Sequence, residues 1–204
     1  MKFFIRILLC LTTMWGSSVL GQSLDEGLDA ARRGDYATAL ENWRPLAELG
    51  FPSAQSNLGV MYQNGQGVPQ NYRKAVSWYR LAAEQGDTTA QTNLGAMYEN
   101  GRVVPQNHRK AVSLYRLAAE KGFAYAQNNL GVMYWGGSGV ARNPVMSYML
   151  IILAAAQGNE SAQKSRDLMI EALPRDQIDE AQRMATEWRI DTPLPKHDDF
   201  TTWP

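Results

Sequence analysis

The sequence predicts an all-α protein, an α-solenoid built from helix-turn-helix repeats of about 36 residues. Three observations predict it. The block Ala54-Gln55-Ser56-Asn57-Leu58-Gly59-Val60-Met61-Tyr62 returns as Ala90 to Tyr98 and again as Ala126 to Tyr134, 36 residues apart each time. A second block, Asn71 to Glu84, returns at Asn107 to Glu120 and more loosely at Asn143 to Ala156. Gly50, Gly86, Gly122 and Gly158 close the units in the same register. A fixed period in this range marks an array of stacked supersecondary units.

The chain opens on a segment of a different kind. Lys2 and Arg6 precede a mostly apolar run from Ile7 to Trp15, and small residues follow up to Gly21. This is the pattern of a secretory signal peptide over 1–21, cleaved near Gly21-Gln22. The run is about half the length a membrane span needs, so stable membrane insertion after cleavage is not expected. Cys10, the one cysteine, falls inside this segment and lacks the neighbours a lipidated cysteine wants. The mature chain therefore offers no thiol for a disulfide or a cysteine metal site. The expected location is periplasmic or secreted.

The array is expected over 22–188. Its units fall at about 24–50, 51–86, 87–122 and 123–158, with a terminal unit at 159–188. In each full unit the first block places Ala54, Leu58, Met61 and Tyr62, or their counterparts, on one helix face. The second block does the same with Ala75, Trp78, Tyr79, Ala82 and Ala83. Gly65-Gln66-Gly67-Val68-Pro69 separates the two as a helix-breaking turn. Gly59, Gly95 and Gly131 sit inside helix-forming runs, where glycine costs roughly 1 kcal/mol relative to alanine. They are expected to mark close approach of the paired helix. The first unit keeps register through Ala39, 36 residues before Ala75, with a shorter loop. The last unit loses the glycine and carries Ile178, Ala181, Ala185 and Trp188 on a helix near 177–188. Residues 189–204, with three prolines, have no period and read as an extended or disordered tail.

The quoted blocks resemble the Sel1-like repeat family, relatives of tetratricopeptide repeats. Three copies match closely and the flanking two loosely. The resemblance implies a right-handed superhelix of antiparallel helix pairs whose inner face is lined by the first helix of each repeat. It also implies an adaptor for protein complexes, in exported bacterial members an envelope protein. The fourth unit departs from the pattern in its loop, Trp135-Gly136-Gly137-Ser138-Gly139-Val140, and in a second helix more apolar than its counterparts. That helix is expected to pack beneath the terminal unit.

Catalysis finds little support in these residues. Twenty basic residues balance twenty acidic ones, and cleavage leaves eighteen against twenty, so no nucleic-acid footprint is expected. His108 lies in a loop where a sister repeat has Tyr72, and is expected in solvent. His197 lies in the tail. No zinc or phosphate-loop spacing occurs, and no cofactor or metal is expected. Asn57, Asn93 and Asn129 read as structural amides that satisfy backbone groups between repeats. The expected function is non-catalytic binding of another protein on the first-helix face. Positions that vary there while the core stays fixed are Ser56, Val60 and Gln63, then Thr92, Ala96 and Glu99, then Asn128, Val132 and Trp135. Trp135 either meets a partner or fills the altered loop. The competing reading is an envelope-glycan binder, or an exported hydrolase acting on a cell-wall component, with Trp78, Tyr79, Trp135 and Trp203 as the stacking aromatics.

Overall fold

The structure is a computed structural model that describes residue 21 and residues 23–195. The expected signal peptide, its cleavage site and the tail beyond 195, with His197 and Trp203, lie outside the described residues, Gly21 excepted. Ten helices follow in chain order among the described residues: α1 (23–32), α2 (Tyr36–Glu48), α3 (Pro52–Asn64), α4 (Tyr72–Glu84) and α5 (Thr88–Asn100). The others are α6 (His108–Glu120), α7 (Ala124–Gly136), α8 (Pro144–Ala156), α9 (Glu160–Ala172) and α10 (Arg175–Glu187). No strand occurs among the described residues.

The repeated residues set the helix ends. Asn71, Asn107 and Asn143 cap α4, α6 and α8, each side chain accepting a hydrogen bond from the backbone N–H three residues on. Such a cap satisfies a donor the helix cannot pair itself. Gly65, Gly101 and Gly137 end α3, α5 and α7 in the left-handed conformation at φ 71°, 66° and 68°, each donating back to the methionine carbonyl four residues earlier. The loop then closes when the capping asparagine's N–H reaches the tyrosine carbonyl of the first helix, Asn107 to Tyr98 at 2.8 Å for example. Loop length is thereby fixed, and each second helix folds back on its first.

The described residues form two compact units, divided between Gln85 and Gly86. In the first, α2 packs on α3 and α3 on α4. Ala30, Ala39, Trp43, Leu46, Ala54, Leu58 and Met61 form its core. In the second, α5 through α9 pack in succession and α10 lies against α8. Nine of the thirteen residues of α8 are buried, because α7, α9 and α10 all pack against it. This accounts for the apolar character that sets α8 apart from α4 and α6.

Each interior glycine is a notch filled from the second helix of its own repeat. A Cβ at Gly59 would stand 2.4 Å from the Tyr79 ring, and one at Gly95 2.7 Å from the Tyr115 ring. In the first repeat the same relation joins Gly27 to Trp43. Burying a large apolar side chain in this way stabilises each repeat by about 1.5–3 kcal/mol, more than the cost of glycine in a helix.

The buried amides belong to a glutamine column two residues before the asparagines. Gln55 Nε2 donates to the Ala47 carbonyl at 3.1 Å, and Gln127 Nε2 to the Ala119 carbonyl at 3.3 Å. Their own carbonyls accept from Gln85 and Gln157. The backbone-bridging role expected of Asn57, Asn93 and Asn129 thus falls to their neighbours. The Ala-Gln pair at every 36th residue carried that signal.

Residues 189–195 leave α10 without helix and return to the end of α6. Asp191 N–H donates to the Glu120 carbonyl at 2.8 Å and Leu194 N–H to the Glu120 carboxylate at 3.0 Å. Leu194 itself is buried in the core of the second unit.

Candidate functional site

One column of the repeat is constant in two copies and changed in the next. In the second repeat the Tyr79 hydroxyl, beyond the Gly59 notch, donates to Gln63 Oε1 at 3.0 Å. In the third, Tyr115 donates to Glu99 Oε2 at 2.7 Å. Burial, and then the Glu99 carboxylate, hold the Tyr115 phenol above its ordinary pKa. In the fourth repeat the tyrosine position is Ile151 and the acceptor position is Trp135. The Gly131 notch now meets Ile151 Cδ1 and the Ser147 carbonyl at 3.1 and 3.2 Å. Two further positions change with it. Ser147 stands where Ala75 and Ala111 stood and donates its hydroxyl to the Gly131 carbonyl at 2.7 Å. Arg142 stands where Gln70 and Gln106 stood.

An isoleucine is shorter than a tyrosine, and the indole cannot accept the hydrogen bond that tethered the phenol. The result is an apolar hollow of about 240 Å³ among α7, α8 and α9. Val132, Trp135 and Ile151 form one wall. Leu168, Met169 and Ala172 of α9 form the other, with Ser147 and Ser165 also lining it. A cavity of ~150 Å³ holds a benzene ring, so this one has room for a whole apolar side chain. Its rim is open: Val132 is 50% exposed and Leu168 70% exposed. Arg142 lies over the Trp135 ring, its guanidinium 5.3 Å from the ring centre, and donates to the Trp135 carbonyl at 3.1 Å.

The variable row predicted from the sequence is sorted by these contacts. Val132 and Trp135 are brought together at the hollow, so Trp135 is neither buried loop filler nor fully in solvent. Ser56 and Thr92 are corrections: they are 3% and 7% exposed and face the interior. Thr92 donates to the Thr88 carbonyl, as a helical threonine does when no other acceptor is near. Gln63 and Glu99 are half-buried and occupied by the tyrosine hydroxyls. Val60 lines a separate hollow of about 270 Å³ in the first unit, whose walls include the polar Arg32, Tyr36, Asn57 and Gln66. Ala96 and Asn128 are half-buried, and Asn128 donates to Asn129 at 3.2 Å.

The structure adds what pattern reading missed. Ile151, Ser147 and Leu168 entered as core positions or went unremarked. The departure of Ile151 from its tyrosine column was the available signal. His108 is also a correction. It is half-buried beneath the Gly139 loop, with Nδ1 enclosed and without a hydrogen-bond partner among the described residues. Among the described residues the aromatics suited to sugar stacking do not form a platform: Tyr79 is fully buried and Trp78 packs against the core of the first unit. Among the described residues there is no cluster of histidine, cysteine and carboxylate fit for a metal, and no helix long and apolar enough to cross a membrane.

These repeats define a class, the helix-turn-helix α-solenoid with about 36 residues per repeat. The Sel1 repeat model matches residues 19–51, 52–87, 88–123 and 124–159, and the chain belongs to the Sel1 repeat family. Repeats of this family are generally modules of protein–protein interaction. Among solved structures, the chain is similar to a protective antigen of uropathogenic Escherichia coli that displays an SLR fold, at 38% identity and a TM-score of 0.65. That match covers 76% of this chain and 34% of the antigen, so the chain spans about a third of that protein's length. It is also similar to a Sel1 repeat protein from Oxalobacter formigenes, at 42% identity and a TM-score of 0.58, over 63% of this chain and 97% of the other. No curated protein matches the chain.

Proposed function

We propose that the chain is a non-catalytic adaptor of the bacterial cell envelope that holds a partner protein at the hollow of the fourth repeat. The carrying observation is the linked exchange of Tyr and its acceptor for Ile151 and Trp135. That exchange goes with an open apolar hollow beside Ile151 and Trp135, with exposed Val132 and Leu168 at its rim. Apolar surface held open beside an aromatic side chain is the composition of an interaction hot spot. The leader-like segment 1–21 supports an exported location, and the mature chain without cysteine suits a role that needs no thiol chemistry.

Site-directed photo-crosslinking in envelope extracts tests this reading. A photoreactive amino acid placed at Val132 or at Leu168 is expected to give the same discrete protein adduct, and Ile151→Tyr, the residue its sister repeats carry, is expected to abolish it. A control at Leu81, exposed on α4 in the first unit, is expected to give none. Adducts that persist in Ile151→Tyr, or that form equally from Leu81, would remove the hollow from the account.

A further inference from the structure

One cation beside the hollow, Arg142, has no ion pair among the described residues. Arg142 is fixed over Trp135 by its bond to the Trp135 carbonyl, so its cation is held at the wall. The loop that bears Arg142 packs onto the start of α6: a Cβ at Gly139 would stand 2.4 Å from the His108 backbone. The first turn of α6 contains Arg109 and Lys110 and no acidic residue, and a helix N-terminus is itself positive. Two acidic groups of this region are engaged. Glu99 accepts from Tyr115 and Asp167 is paired with Arg166 at 2.8 Å.

The sister repeats show what the notch itself accommodates, since a tyrosine ring fills it twice. In both, the neutral Gln70 and Gln106 occupy the position of Arg142. The cation therefore arrived with the vacancy and not with the fold.

We infer that the hollow takes an acidic segment of a partner protein, with an aromatic or branched apolar side chain entering beside Ile151 and a flanking carboxylate meeting Arg142. This rests on the reading of the hollow as the docking site. An arginine held over Trp135 and without an ion pair among the described residues gains a charge-assisted bond when an acidic segment docks, and selects it over a neutral one.

The test is a titration of the full chain with a capped peptide, Gly-Ser-Asp-Asp-Phe-Asp-Asp-Ser-Gly, read by fluorescence anisotropy or calorimetry. Two analogues accompany it, one with Phe replaced by Ala and one with every Asp replaced by Asn. The parent peptide is expected to bind about tenfold more tightly than either analogue. Arg142→Gln is expected to bring the parent down to the Asn analogue without changing the analogue. Ile151→Tyr is expected to lose both, with circular dichroism and melting retained. Equal affinity for the Asp and Asn peptides, or an unaffected Arg142→Gln, would overturn the inference. If Ile151→Tyr still abolished that charge-independent binding, the docking reading would stand alone. If wild type bound no peptide and gave no crosslinks at Val132, both would fall. The chain's own Asp198-Asp199-Phe200 has the same chemistry, so each titration is repeated in Phe200→Ala. Binding seen only in that background would overturn the partner in favour of the chain's own C-terminal segment.

Discussion

The third and fourth repeats have the same scaffold and opposite interiors at one position. Both cap their second helix with asparagine, end their first with a left-handed glycine, and carry a glycine notch. In the third, Tyr115 fills the notch and ties itself to Glu99. In the fourth, Ile151 meets the notch without reaching across it to a polar acceptor, a hollow lies beside Ile151 and Trp135, and Arg142 over the Trp135 ring replaces a glutamine. The difference teaches that function in a repeat array is found where linked positions depart together. A single changed residue at a core site is a packing variation, whereas four that change around one cavity form a site.

The sharpest way to break the comparison is at the notch. Gly95→Leu forces a side chain against the Tyr115 ring and is expected to cost about 3 kcal/mol or more, measured by urea denaturation. Gly131→Ala meets a flexible isoleucine terminus and regains helix propensity, so its cost is expected below about 1 kcal/mol. Equal losses at the two glycines would remove the distinction. Gln127→Leu is expected to cost about 1 kcal/mol in the same assay, because it removes a fully buried amide that donates to the Ala119 carbonyl and accepts from Gln157. That loss belongs to the constant scaffold and should leave peptide preference intact.

How much was legible in the sequence follows the same division. Caps, turns and notches recur, so period alone places them, and Gly59, Gly95 and Gly131 were readable as contacts. The hollow was half legible. Val132 and Trp135 emerged from the variable row, yet Ser56 and Thr92 entered beside them, because helical spacing says which residues share a face but not how far a neighbouring helix covers it. Ile151 was hidden because an apolar residue at a core step looks like core. Only the third dimension shows that it is too short to fill the space. The return of Leu194 to Glu120 left no trace in a segment without period.

Alkaline pH tests the Tyr115 hydroxyl itself, one of several buried tyrosines, with Tyr134 and Tyr148, whose pKa burial raises. Burial raises the Tyr115 pKa above the ordinary value near ~10. The folded state therefore holds that proton more tightly, its contribution is complete below pH ~10, and stability falls as pH rises beyond it. Tyr115→Phe is expected to flatten that fall, at the expense of about 1 kcal/mol at neutral pH from the stranded Glu99 acceptor. An unchanged slope above pH 10 would count against Tyr115 as its source.

The smallest effect is expected at Val103. Its sister positions Gly67 and Gly139 have φ of 66° and 72°, and Val103 adopts the same conformation at φ 66°. A β-branched residue is strained there, and its side chain is exposed. Val103→Gly is expected to stabilise the chain by about 0.5–1 kcal/mol, a rise of a few degrees in Tm. A lower Tm would show that the loop gains more from the side chain than it loses in strain.

The central claim, that the fourth repeat is the docking repeat, is met most directly by methyl NMR during titration with the Asp-Asp-Phe-Asp-Asp peptide. The account predicts shifts at Val132, Ile151, Leu168 and Met169, with Val60 and Val76 of the first unit unmoved. Shifts spread over the first unit, or confined to Leu194 and Ile190, would contradict it.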